Sequence, residues 1–456
     1  MAERLLEGIR ILDLTMAYAG PIGTRVLADM GAEVIKIESV QRIDMPCRRI
    51  SYAENKPGKE PWNCGGYFHR LNVGKYGITL NLDSPEGKDI FKRLVKISDA
   101  VIESFTPRVM DNFGLGYEAL KVIKHTGGGD SMCGYGHTGP QRDYTMYQPG
   151  MEASAGLPSI TGYADGPPLA TNTGYGDWLL GMTGMAALLT ALYYRQRTGK
   201  GQYIDVAGRE ATICHLGEAI MDYTMNDRVW TRQGNRHPSM APHGCYRCKG
   251  EDKWINIAVE TDEEWQSLCQ AIGNPTWVSE ERFSDALSRW QNQDELNELI
   301  EQWTKEHDHY EVMHLLQQAG VPSGAVLNIK EVIMDHHLKE RGFFEVIEHH
   351  GGIGKRPHPK QLSTKFSQSQ SFIPKPGPFL GEDNEYVYCS LVGMSKEELA
   401  ELEEKKVIGN APTRFPSSQE RPLPIDMMVK EGSARVESDY LEQLSKSFGI
   451  YIGPTT

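Results

Sequence analysis

At 456 residues the chain is well past the length at which one hydrophobic core stops growing, so two domains are expected. Its charged fraction of 24% and hydrophobic fraction of 39% are those of an ordinary globular protein. The net charge of −13 argues against nucleic acid or an anionic membrane surface as a bulk partner, and means that a polyanionic ligand needs a local basic pocket.

Ile9 to Leu14 (IRILDL) reads as a short buried strand, Pro21 to Met30 as a helix with proline in its first turn, and Ala32 to Glu38 (AEVIKIE) as a second strand. ITLNL (Ile78 to Leu82), a helix opening at SPEG (Ser84 to Gly87) and the strand AVIES (Ala100 to Ser104) continue the alternation. Such an order predicts parallel strands joined by crossover helices, an α/β Rossmann-like half. The usual GxGxxG fingerprint is absent after the first strand, where the turn is TMAYAGP, so ordinary dinucleotide binding is not expected. The triplet Gly127 to Gly129 gives no reading of its own.

Thr171 to Arg197 then runs from a glycine-rich polar turn into a long apolar stretch without charge from Trp178 to Tyr194. That stretch is shorter than the ~20 residues of a membrane span and is interrupted by Gly181 and Gly184, so it reads as a buried core helix and no membrane partner is expected. Asp177 at the junction is expected to be its N-cap, where free backbone N–H groups and the helix dipole favour the carboxylate. A cap alone suffices to explain an aspartate there.

GKGQYIDV (Gly199 to Val206) gives a turn and strand, and Ala207 to Met225 a helix. A smaller α+β region follows, with a strand at Trp254 to Val259 and amphipathic helices at Glu263 to Ile272, Asp294 to Glu306 and Tyr310 to Ala319. The expected layout is a large domain over 1–225, a small domain over 226–330, a return to the large domain over 331–415, and a C-terminal extension over 416–456, an appended or partly disordered arm that includes SSQERP. Eight cysteines without disulfide-like spacing, and no leader segment ahead of them, point to reduced thiols in the cytoplasm. Cys245 and Cys248 form a lone CxxC with no second pair of soft ligands, so no metal site is expected.

The segments LEGIRILDLTMAYAGPIGTRVLADMGAEVIKIES, GITLNLDSPEG, AVIESFTP, FGLGYEAL, GYGHTGP, GDWLLGMTGMAALLTALYYRQRTGKGQYIDVA, GNRHPSMAPHG, GVPSGAVLNIKEV and GPFLGEDNEYV, in this order, resemble the class III CoA-transferases. The resemblance covers about Leu6 to Leu402. It implies a large domain built from both chain ends, a small domain between them, and an interlocked homodimer. It also implies transfer of CoA from an acyl-CoA to a carboxylic acid acceptor, and likeness to the arylsuccinate branch suggests succinyl-CoA as donor and an aromatic or other bulky dicarboxylate as acceptor. No tightly bound cofactor is implied; the CoA thioester is a co-substrate.

By this likeness Asp177 is the nucleophile, which suits a carboxylate attacking a thioester without a metal or general base. Met16, Ala17 and Tyr18 would border the thioester arm, and Leu80, Ser104, Phe105, Val109 and Tyr135 the nucleotide groove. Lys36, Arg42, Arg48, Arg49, Lys75 and Arg108 are candidates for the CoA phosphates. Tyr147, His137, Arg236 and His237 would lie near the acyl group; a guanidinium fork at Arg236 suits a carboxylate, or else it pins its own loop. Backbone N–H groups near Gly136 to Thr138 or near Ser239 to His243 are candidate oxyanion donors. Formyl-CoA transferases have glutamine where this chain has Tyr18 and a glycine run at His237 to Met240, which argues against oxalate. Their phosphate-side arginines correspond to Ser39 and Asn112. The alternatives are a 2-methylacyl-CoA racemase, disfavoured because Tyr147 stands where those enzymes have histidine, and one subunit of a heteromeric transferase.

Overall fold

The computed structural model describes residues 4–171, 173–415 and 422–455, so Asn172 and the SSQERP run up to Arg421 lie outside the described residues. The chain forms two compact units. One comprises Met1–Leu157, Thr171–Ile220 and His337–Thr456; the other comprises Pro158–Ala170 and Met221–His336.

The first unit is built on six parallel strands, β1 (Arg10–Asp13), β2 (Glu33–Glu38), β3 (Tyr76–Thr79), β4 (Ala100–Glu103), β5 (Gly128–Cys133) and β6 (Tyr203–Ala207). Their order is β3-β2-β1-β4-β5-β6, the doubly wound arrangement. The short aliphatic runs of β1, β2 and β4 are buried, as strands covered by helices on both faces must be. Leu12, Ile35, Ile78, Phe91 and Leu94 fill one face; Ile11, Val34, Ile102, Met132 and Leu188 fill the other. The glycine triplet acquires a role here: Gly128 and Gly129 open β5, and the Tyr117 and Tyr203 rings close over Gly129.

The long helix runs from Tyr175 to Thr198 and is buried along one face, through Leu180, Gly181, Gly184, Met185, Leu188 and Ala191. Its opposite side, with Met182 and Tyr193, is exposed, so it is a core-facing helix rather than a wholly buried one. Its closest neighbour is the helix Ala19–Asp29. A Cβ on Gly181 would stand 2.4 Å from the Ala19 carbonyl oxygen, and one on Gly23 would stand 2.8 Å from the Gly181 carbonyl oxygen. Only paired glycines permit backbones this close.

Two buried ion pairs brace the strands beneath. Lys75 Nζ lies 3.0 Å from Asp13 Oδ2, and Arg48 Nη2 lies 2.5 Å from Glu38 Oε2, with all four side chains at most 2% exposed. The returning chain seals the β3 edge, where Asp383 and Asn384 accept the Gly77 and Thr79 N–H groups. It also forms an antiparallel hairpin of β10 (Phe344–His349) and β11 (Gly354–Pro359), following the three strands of the second unit described next. The described part of the tail is ordered rather than a loose arm: Gly453 exchanges two backbone hydrogen bonds with Lys355, Ile452 is buried, and the Tyr440 hydroxyl donates to Glu54.

The second unit carries an antiparallel sheet of β7 (His243–Arg247), β8 (Trp254–Ala258) and β9 (Ser323–Val326). The helices Asp262–Ala271, Gln293–Thr304 and His309–Gln318 pack around Ile255, Ile257, Trp265, Leu268, Leu296 and Leu316. Thr261 and Glu264 form a capping box that fixes where the first of these helices begins. Among the described residues no helix is long and apolar enough to cross a membrane.

Gly181→Ala tests the helix contact, because the added methyl meets backbone that cannot rotate away. It is expected to lower stability by about 1–3 kcal/mol or more in urea denaturation. Thr183→Ala, on the exposed side of the same helix, is expected to change stability by less than about 0.5 kcal/mol.

Candidate active site

The turn after β1 is shaped by polar groups that the core cannot leave unpaired. The Asp13 carboxylate accepts the Thr15 N–H (2.9 Å), the Thr15 hydroxyl (2.5 Å), the Thr24 hydroxyl (2.6 Å) and the Lys75 ammonium. Lys75 and Lys36 beside it outweigh its burial and hold its pKa at about 2. The Lys36 ammonium donates to the Thr15 carbonyl. Ala17 sits at φ 64, a left-handed conformation costly for a residue with a Cβ, and its N–H donates to the buried Asp44 carboxylate. Met16 N–H donates to Ser104 Oγ at 3.2 Å, tying the β1 turn to the β4 turn at the point where strand order reverses. In doubly wound sheets that crevice is where ligands bind.

Asp177 comes to the same turn. It is the third residue of its helix, not the N-cap; Gly174 holds that place at φ 74. The Tyr18 ring lies against Gly174, within 2.9 Å of where a Cβ would be. The expectation that the helix terminus keeps Asp177 readily ionised is corrected here. Burial, followed by the charge of Glu152, raises its pKa to about 7.

Glu152, on the helix Gln148–Ala155, is fully buried and was not singled out from sequence. It accepts the Thr171 hydroxyl (2.6 Å), the Thr171 N–H (2.9 Å), the Gly176 N–H (3.3 Å) and the Gln148 amide (2.5 Å). Burial pushes its pKa up, but these donors, Thr171 first, outweigh burial and hold it below the ordinary value. An ionised carboxylate is thereby fixed next to Asp177. Its sequence signal was a single acidic residue in the otherwise uncharged QPGMEASAG.

The remaining predicted residues divide into those at this crevice and those elsewhere. Ser104 and Phe105 follow β4, and Val109 opens the short helix Val109–Phe113. Tyr135 follows β5 and meets Tyr144 edge-on. The Leu80 side chain points into the core, at 1% exposure. Arg48 and Lys75 are corrected as phosphate ligands, because both are buried and committed to Glu38 and Asp13. Arg49 is half-buried and Arg108 is exposed, pairing with Asp143 at 3.1 Å. Tyr147 is 79% exposed. The His137 ring Nε2 bonds Ser131 Oγ at 2.5 Å, and its backbone N–H donates to Asp205. It faces a cavity of about 410 Å³ with Glu103, Ser131, Tyr117 and Tyr203, and no hydrogen bond or ion pair among the described residues joins it to Asp177. Arg236 and His237 belong to the second unit, where Arg236 pairs with Asp294 and both line a cavity of about 700 Å³.

A model described as CoA-transferase family III matches residues 6–384. The chain belongs to that family. It is 32% identical to a succinyl-CoA–D-citramalate CoA-transferase of Chloroflexus aurantiacus over 405 residues, covering 89% of this chain and 98% of the relative. It is 33% identical to a succinyl-CoA:mesaconate CoA-transferase of Haloarcula marismortui over 350 residues, covering 76% and 86%. A crystal structure of a CAIB/BAIF family protein from Brucella suis superposes with a TM-score of 0.77 at 29% identity, covering 85% of this chain and 99% of that one. As a family III CoA-transferase the protein is an enzyme acting on CoA thioesters and carboxylic acids.

The electrostatics of this transferase make a direct prediction. Asp177 is expected to titrate near pH 7, protonated below and ionised above. In Glu152→Gln the amide oxygen still accepts from Thr171 while the like charge is gone, so the midpoint should move to lower pH. Carboxyl 13C NMR of aspartate-labelled protein, with Asp177→Asn identifying the signal, reads both midpoints; an unmoved midpoint would separate Glu152 from Asp177.

Proposed function

We propose that the enzyme transfers CoA from succinyl-CoA to a dicarboxylic acid, with Asp177 as covalent nucleophile. The observation that carries the reading is the position of Asp177: a half-buried carboxylate in the first turn of the long helix, next to the Tyr18 turn and free of any hydrogen bond among the described residues. The names of the relatives supply the donor and suggest a dicarboxylate acceptor.

In this mechanism the Asp177 carboxylate attacks the thioester carbonyl and expels the CoA thiolate, leaving an aspartyl–succinyl anhydride. The thiolate attacks the Asp177 carbonyl carbon, succinate departs, and an aspartyl-CoA thioester remains. The acceptor carboxylate displaces the thiolate to form a second anhydride. The thiolate then attacks the acceptor's carbonyl carbon, giving acceptor-CoA and restoring the Asp177 carboxylate. Each step exchanges one acyl bond for another, so holding the partners in place supplies much of the rate. Met16, Ala17 and Tyr18 would border the thioester, Ser104, Phe105, Val109 and Tyr135 the nucleotide, and Arg42, Arg49 and Arg108 are the candidate cations left for its phosphates.

Incubation with succinyl-CoA and hydroxylamine is expected to inactivate the enzyme and leave a hydroxamate on the peptide containing Asp177, detected by mass spectrometry. Asp177→Asn should fold normally by its melting curve and lose transfer by several orders of magnitude, on the scale of removing a covalent nucleophile. Near-normal transfer by the folded Asn variant would overturn the assignment.

The interlocked homodimer is also proposed, from the likeness to the family and from apolar side chains left in water. The helix Gly217–Asn226 has no buried residue and exposes Ile220, Met221, Tyr223 and Met225, a patch suited to a second copy. Interlocked chains cannot part without unfolding. Tagged and untagged native protein mixed together should therefore show no exchange over hours by affinity pull-down, and rapid exchange would rule the arrangement out.

A further inference from the structure

Most buried or half-buried cations near the β1 turn have an internal anion: Arg25 has Asp29, Lys36 has Asp44, Arg48 has Glu38 and Lys75 has Asp13. Arg70 is different. It lies in the last turn of the helix Gly66–Asn72 and is half-buried, yet no carboxylate of the described residues pairs with it. Its guanidinium stands 5.7 Å from the centre of the Tyr18 ring and 5.5 Å from that of Trp178, and Nη1 donates to the Tyr18 hydroxyl at 3.3 Å.

These two rings locate it. Trp178 is the residue after Asp177, and Tyr18 is the residue whose ring rests on Gly174 at the start of the same helix. The charges of Arg70 and Asp177 both bear on the Tyr18 phenol, with opposite sign, while Arg70 is not among the groups that set the state of Asp177. Arg70 and Asp177 therefore flank Tyr18 without pairing. The aromatic faces hold the guanidinium in place by cation–π attraction and leave donors of its planar fork unused.

We propose that Arg70 binds the far carboxylate of a dicarboxylic acyl group whose near carbonyl is at Asp177, and so selects dicarboxylic over monocarboxylic acyl-CoA. This rests on the reading of Asp177 as the acyl acceptor. A four-carbon diacid attached at one end still carries one negative charge at the other, and a fork held between aromatic rings accepts it through two parallel charged hydrogen bonds. A monocarboxylic acyl chain would leave the guanidinium half-buried and unanswered, which disfavours it further. The same subsite would hold the free carboxylate of a diacid acceptor, because donor and acceptor pass through the same anhydride position.

Binding of succinyl-CoA and of butyryl-CoA tests this, since the two share CoA and a four-carbon acyl chain and differ in the terminal carboxylate. Affinities are measured by calorimetry on Asp177→Asn protein without acceptor, so that the thioester stays intact. Arg70→Met is expected to weaken succinyl-CoA by about 10- to 100-fold, the range of a charged hydrogen-bonded pair, with butyryl-CoA changed by less than about threefold. Arg70→Lys keeps the charge but not the fork and should fall between; it carries the test if the Met variant does not fold. Equal weakening of both thioesters would make Arg70 a CoA-phosphate or structural residue, and no weakening of either would remove it from the site; both results overturn the proposal. Hydroxamate formation on Asp177 is scored separately with the wild-type enzyme. Failure there removes the nucleophile and leaves the binding comparison to judge Arg70 alone.

Discussion

The contact between Gly23 and Gly181 governs where everything at the crevice lies. Two helices share a backbone-to-backbone approach that any side chain would prevent, so the turn preceding one helix and the first turn of the other are held against each other. Tyr18 belongs to the first and Asp177 to the second. The glycines cost helix propensity at both places, roughly 1 kcal/mol each relative to alanine, and the protein accepts that cost where register matters. Asp177, the proposed nucleophile, is carried on a helix of 24 residues rather than on a loop.

Charge is distributed by the same logic. The interior beneath the β1 turn holds several ions, and nearly all are neutralised locally, as burial demands. Lys75 and Arg48 keep β1 to β3 in place through Asp13 and Glu38, so their positive charge is spent on architecture. Two exceptions stand at the crevice. Asp177 has no donor among the described residues and Glu152 as a like-charged neighbour, and Arg70 has aromatic faces in place of an anion. Unpaired charge of both signs at one rim suits a site for a charged ligand.

The strands and the long helix were legible because short aliphatic runs, turns and an uncharged stretch are local patterns. Asp177 and the Met16–Tyr18 turn were reachable through motif likeness, and the link from Met16 to Ser104 brings two of the predicted segments together. Other features could not be seen. Lys75 and Asp13 are 62 positions apart, and nothing in either segment tells an exposed lysine from one sealed under a sheet. Glu152 and Arg70 are single polar residues without a repeating pattern, and their significance lies in what surrounds them. The helix start moved by three residues because Gly174, tolerant of positive φ, takes the cap and lets Tyr175 and Gly176 precede Asp177. The described tail owes its order to backbone pairing with β11, a long-range contact that composition does not encode.

The pairing of Glu152 with Asp177 also bears on the proposed role of Asp177 as nucleophile. A freely solvated carboxylate is a weak nucleophile, stabilised by water and by its low basicity. Glu152 cannot relieve the repulsion by taking the proton, because Thr171, Gly176 and Gln148 all donate to its ionised form. Burial first, and then the like charge of Glu152, make Asp177 more basic and less stable as a free anion. In the proposed mechanism acylation would remove that anion, because anhydride and thioester are both neutral at the Asp177 carbonyl. The repulsion would then disappear in the proposed intermediates and return when the carboxylate is released. A fixed negative neighbour would thus favour the acylated states relative to the free enzyme.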